Sequence, residues 1–226
     1  MNNFSLHQVL PSKEQIQQLP VFQNLPLQQI QVIHSLQQCH AIEQELKTCT
    51  LFGFDSESKP TFNKGEVSTG PHLIQLASRD KAYLFQISPA ILEFLKPIFE
   101  NKNQMKVGFG LKNDAHLFRK KGIELHNVIE LSKCFSAFGF SNPMGLKNAM
   151  ALLFQVNFPK SKKISTSNWA RKILTPHQIE YAAADAYAPV LVFEELLRLG
   201  LLPKTMTRHL FKLSMQPNTI KAETDA

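Results

Sequence analysis

Four acids and one phenol are spaced in ways that could do chemistry. Asp55 and Glu57 stand two apart in "GFDSES", where an apolar stretch turns polar. Residues i and i+2 of a strand share a face, so both carboxylates project together from one sheet end. Held side by side they repel unless a cation sits between them; acids are also ordinary where a strand runs out into water. Asp114, in "VGFGLKNDAHLF", falls in the first turn of an expected helix, a place where the helix dipole alone favours an acid. Tyr181 and Asp185, in "EYAAADAYAP", are four residues apart. A helix stacks that phenol and carboxylate on one face, although a packed Tyr and a solvated Asp share the same spacing.

The elements that must position these groups follow from local pattern. Residues 30–35, 50–58, 72–78, 81–87, 105–110 and 123–131 are expected as strands, the third and fourth forming an antiparallel hairpin about Arg79-Asp80. Helices are expected at 36–49, at 89–102 with a break or kink at Pro97, and at 111–122, ending at Gly122. From 132 onward the pattern is helical: 145–154, a long helix from about Pro176 to Leu199 capped by Thr175, and a last helix at about 203–215. Gly108-x-Gly110 lacks the rest of a dinucleotide fingerprint. Strands alternating with helices, then a helical half, give an α/β fold with a mixed sheet.

Composition narrows the setting. The 226 residues, 43% hydrophobic and 19% charged, can bury a sizeable core. No apolar run approaches the ~18 residues of a membrane span, and the start shows no signal peptide. Cys39, Cys49 and Cys134 are odd in number and widely spaced, which argues against a disulfide framework or a Cys zinc cage. The expectation is an intracellular, cytoplasmic protein. Net charge is +7, a balance that favours polyanions. Segment 159–172 carries Lys160, Lys162, Lys163, Arg171 and Lys172 and no acid. It is either a solvated face or a phosphate-backbone contact.

Taken in order, Asp-x-Glu on a first strand, Asp at a strand–helix junction and Tyr-x-x-x-Asp on a late helix resemble the three exonuclease motifs of the DEDD superfamily, in its tyrosine-containing subgroup. "GFDSES", "HLIQLAS", "YLFQI", "KVGFGLKNDAHLF" and "TSNWARKILTPHQIEYAAADAYAPVLVFEELL" are similar to the 3′→5′ exonuclease domain of ribonuclease D and the Werner-syndrome helicase. The resemblance implies a ribonuclease-H-like fold, a mixed sheet flanked by helices with a helical C-terminal half. It divides the chain into a lead-in (1–28), an exonuclease domain (29–202) and a C-terminal helix with a polar tail (203–226). It implies hydrolysis from a 3′ end to 5′-mononucleotides with two divalent ions, Mg²⁺ or Mn²⁺. Asp55, Glu57, Asp114 and Asp185 match the metal-associated acids and Tyr181 the water-orienting tyrosine. By the same resemblance Asp55 should bridge the ions and Glu57 and Asp185 should bind one, while Asp114 acting through water stays open. A non-catalytic nucleic-acid-binding module on the same fold is the alternative.

Substrate contacts are expected at Ser56, Leu76, Asn113, Lys163 and Asn168, and at Trp169 if it stacks a base; core packing is the competing role for Leu76 and Trp169. The partner is a DNA or RNA 3′ end. "SESKPTF" and "TSNWA" lean towards the Werner-type branch and so towards DNA, but no motif fixes contacts to the 2′-OH. Ser58, where many relatives carry an aromatic, and the long 59–71 loop depart from the family pattern.

Overall fold

The computed structural model describes residues 9–61, 65 and 69–202. The expected helix at 203–215 lies outside these residues, as does much of the 59–71 loop. Six strands form one mixed sheet: β1 (Ile30–Ile33), β2 (Leu51–Glu57), β3 (Leu73–Ala77), β4 (Ala82–Gln86), β5 (Met105–Gly108) and β6 (Val128–Glu130), in the order β1-β4-β3-β2-β5-β6. β2, β3 and β4 pair antiparallel; β1 joins β4, and β5 joins β2 and β6, in parallel. The helices are α1 (Lys13–Gln18), α2 (Leu36–Ala41), α3 (Glu43–Thr48), α4 (Pro89–Phe99), α5 (Lys112–Lys120), α6 (Leu146–Phe154), α7 (Lys162–Ser165) and α8 (Pro176–Arg198). This is the expected α/β architecture, a mixed sheet with flanking helices.

Local chemistry explains several boundaries that differ from expectation. The helix at 36–49 is two, parted at Ile42, whose ψ of 3° leaves the helical region. α4 runs on through Pro97 to Phe99. The last strand keeps only Val128–Glu130, because Asn127 at φ 51° interrupts the extended run before it. Before the sheet, residues 20–25 run across the molecule. Val21 bridges Asn157, and Phe22 and Leu25 are buried.

The period-two strands divide two cores. On one face Phe52, Phe54, Ile74, Leu76 and Phe85 pack under α2, α3, α4 and α5. On the other, Leu73, Ala77, Ala82 and Leu84 meet α8 at Ala182, Ala183 and Ala186. α8 begins at a capping box, Thr175 with Gln178, and Pro176 fills the first helical position. Its alanines let it lie close on the sheet. At Gly53 the approach is closest: an added Cβ would overlap the Ala186 carbonyl oxygen. Gly53 and Asp55 share a strand face, so this contact sets Asp55 beside Asp185, one residue before Ala186.

Candidate active site

The cup forms where the end of β2 meets the middle of α8. Oxygens of Asp55, Glu57 and Asp185 all lie within 4.8 Å of one another. Two come from one strand by pleat parity; the third comes from a helix 128 residues further on from Glu57. Asp114, buried in the first turn of α5, flanks them; the Ser56 hydroxyl, on the opposite pleat of β2, donates to its Oδ1. The Ser56 N–H in turn donates to Asp55 Oδ1 at 2.9 Å. Tyr181, one turn before Asp185, turns its phenol to the Asp185 carboxylate.

Burial and mutual repulsion govern the charges. Burial and then the neighbouring Asp185, Asp114 and Glu57 carboxylates push Asp55 well above the usual carboxylate range. Glu57 rises to about 8, by burial first and then by the charge of Asp185, with Lys160 opposing. Burial raises Asp185 too, against the pull of Lys160 and Tyr181. Burial raises Asp114, with the Ser56 hydrogen bond opposing. Tyr181 is raised by burial and by the carboxylates, so the phenol keeps its proton. Among the described residues one cation is paired with the cup: Lys160 Nζ lies 3.3 Å from Asp185 Oδ1, an oxygen that has no hydrogen bond of good geometry.

Residues 30–200 match the family model of the 3′–5′ exonuclease domain. The chain belongs to the 3′–5′ exonuclease family. It is 31% identical over 169 residues to the mouse bifunctional 3′–5′ exonuclease/ATP-dependent helicase WRN, covering 70% of this chain and 12% of that protein. An Arabidopsis thaliana 3′–5′ exonuclease is 30% identical over 142 residues, 60% of this chain and 49% of the relative. The chain thus spans half or less of the length of these relatives. The Nibbler EXO domain of Aedes aegypti superposes with a TM-score of 0.68 at 22% identity, over 84% of this chain and all of that one. Escherichia coli RNase D gives 0.62 at 21% identity, over 82% and 50%. Both share the ribonuclease-H-like fold.

Within this exonuclease domain the remaining expected site residues scatter. Leu76 is fully buried on the wrong face, packed with Phe54 and Phe85, and is corrected to a core residue. One residue of register separates the two faces: the partner of Asp55 across the sheet is Gln75. Trp169 is likewise fully buried, its indole N–H donating to the Ser165 carbonyl and its ring 6.1 Å from that of Tyr181. It supports α8 and has no face free for a base. Ser56 reaches Asp114. Asn113 is exposed beside Asp114. Lys163 and Asn168 line a 610 Å³ cavity with Ser161, Ser167 and Arg171.

Two polar residues escaped sequence reasoning. Lys160 looked like one more member of a basic run, and its contact with Asp185 crosses from a loop to α8. Gln75 is fully buried opposite Asp55, and neither amide atom has a hydrogen-bond partner among the described residues. A lone amide inside the apolar "HLIQLAS" was the available signal. Among the described residues no helix is long and apolar enough to cross a membrane.

Proposed function

We propose that this chain is a metal-dependent 3′→5′ exonuclease that hydrolyses the terminal phosphodiester of a DNA or RNA strand and releases 5′-mononucleotides. The observation that carries the reading is the convergence of Asp55, Glu57 and Asp185 within 4.8 Å. Three carboxylates held this close, raised first by burial and, for Asp55 and Glu57, also by their neighbours' charge, leave a deficit of positive charge that divalent ions fit. The donor set agrees: all oxygen, no Cys or His, and a buried Asp185 oxygen without a well-aligned hydrogen bond. Asp55, Glu57 and Asp185 would hold two Mg²⁺ or Mn²⁺ ions, with Asp114 acting from the flank. When bound, such a pair supplies a hydroxide-like nucleophile near neutral pH and neutralises the leaving oxygen.

The chain's own residues have separate tasks. Asp55 is fixed by the Ser56 N–H. Ser56 also fixes Asp114, so one residue of β2 orients two acids. Tyr181 remains a phenol and acts through its Oη–H, orienting the attacking water against the phosphate; it is not the base. Gln75, beneath Asp55, offers the only unused buried amide next to the cup among the described residues. DNA is the first substrate to test, because the first-motif and "TSNWA" stretches resemble the Werner-type branch.

The experiment is a time course on matched 5′-labelled DNA and RNA strands. With Mg²⁺ or Mn²⁺ the label should shorten one nucleotide at a time from the 3′ end, and EDTA should stop it. Intact strands with metal present, or full cleavage in EDTA, overturns the reading.

A further inference from the structure

Lys160 lies in the irregular stretch between α6 and α7. No secondary structure of its own holds it there, yet its ammonium reaches 3.3 Å from Asp185 Oδ1. What holds the stretch is the segment before the sheet. The Phe22 N–H donates to the Asn157 carbonyl at 3.0 Å, and the Asn157 N–H donates to the Pro20 carbonyl at 2.8 Å. The Phe22 ring packs 5.2 Å from Phe158 and 6.2 Å from Tyr187. Asn24 Nδ2 donates to the Glu180 carbonyl at 2.9 Å. Phe158 stands two residues before Lys160; Tyr187 stands two residues after Asp185; Glu180 precedes Tyr181. Residues 20–25 therefore clasp the loop to the catalytic helix around the Lys160–Asp185 pair. The family match begins at residue 30, so residues 20–25 lie outside the matched span.

We propose that Lys160 is a substrate-phosphate ligand at the mouth of the cup, and that residues 20–25 are the positioning strap that keeps it there. The proposal rests on the exonuclease reading. Lys160 is 45% exposed and free to turn, whereas Asp185 is not. With divalent ions held by the acids, Asp185 would be engaged and the Lys160 ammonium would be left to find another anion. The nearest anion is then the phosphate of a bound strand. A compact ammonium with three rotatable donors suits that exchange of partners better than a planar guanidinium.

Binding, not cleavage, gives the test. Affinity for a short 5′-labelled oligothymidylate is measured by fluorescence anisotropy with Ca²⁺ in place of Mg²⁺, over a salt series. Lys160→Met keeps the stem and removes the charge. It should weaken binding about tenfold, as for one charge-assisted hydrogen bond. The salt slope should fall by about 0.7, one phosphate contact on a single strand. Phe22→Ala should weaken binding several-fold and flatten the slope in the same direction, a change that loss of stability alone does not produce. In the double variant the Phe22 change should add nothing to the Lys160 change. Where Phe22→Ala melts below the assay temperature, Asn24→Ala takes its place with the same outcomes. Wild-type affinity in Lys160→Met, or losses at the two sites that multiply, overturns the proposal. A wild-type chain that binds strands but does not cut them with Mg²⁺ would instead overturn the exonuclease reading.

Discussion

Among the described residues two places bury charge, and they treat it in opposite ways. Lys106, on β5, is fully buried, yet its ammonium donates to the Ile98 and Asn101 carbonyls at 3.0 and 2.9 Å. Those groups end α4, where a cation also answers the helix dipole. Burial lowers Lys106 only to about 8. The acid cup is served less well, by the Ser56 N–H, the Tyr181 phenol and one half-exposed ammonium, Lys160, against several carboxylates. Its carboxylates face one another, their pKa values rise together, and Asp185 Oδ1 lacks a well-aligned donor. A buried charge whose donors all find acceptors is tolerated at a cost; a cluster left unsatisfied is the mark of a site that waits for something.

Neutralising an acid should therefore damage function and spare the fold. Asp55→Asn is expected to cut nucleotide release by roughly three orders of magnitude, since one central ligand serves the whole metal site. Without metal its melting temperature at pH 8 should equal or exceed that of the wild type. The sign follows from the raised pKa values. Glu57 at about 8, with Asp55 and Asp185 also raised, keeps protons in the folded protein that the unfolded chain has released. Metal-free wild type should then lose stability as pH rises from the ordinary carboxylate range to about 8, and Asp55→Asn should lose less. Thermal melts in EDTA across that window decide it; a wild-type curve that climbs with pH contradicts the repulsion. Lys106→Met is the mirror case. It strands two carbonyls and should destabilise by about 1–3 kcal/mol, with cleavage per folded molecule unchanged. A Lys106→Met variant as stable as wild type would erase the contrast between the two regions.

How much of this was visible in the chain depends on whether a signal is local. Pleat parity put Asp55 and Glu57 on one face, helical spacing stacked Tyr181 over Asp185, and the structure keeps both relations. At β3 parity could not decide the face, because nothing local says whether Leu76 or Gln75 opposes Asp55; pairing register is a property of two strands. Trp169 failed differently. Its neighbours are polar, but the ring is covered by α8, which lies beyond it in sequence. The clasp of residues 20–25 was invisible for the same reason, since its bonds go to Asn157 and Glu180. Pro97 ended nothing, because α4 needs only to reach Phe99, which is buried against Phe54 and Phe118.

The finest division lies inside the cup itself, between the three acids that meet and the one that stands aside. Asp114 is absent from the group within 4.8 Å, although its charge still raises Asp55 and Glu57. Its carboxylate is turned to the Ser56 hydroxyl. If Asp114 serves through water from that position, the hydroxyl matters for aim and not for charge. Ser56→Ala should then lower kcat about tenfold to a hundredfold, the effect of one hydrogen bond to a charged group. Its Mn²⁺ affinity should stay close to wild type, because Asp55, Glu57 and Asp185 are untouched. Isothermal titration with Mn²⁺ beside single-turnover cleavage separates the two. A loss of metal affinity as large as that of Asp55→Asn would place Asp114 among the direct ligands, and its hydroxyl partner with them.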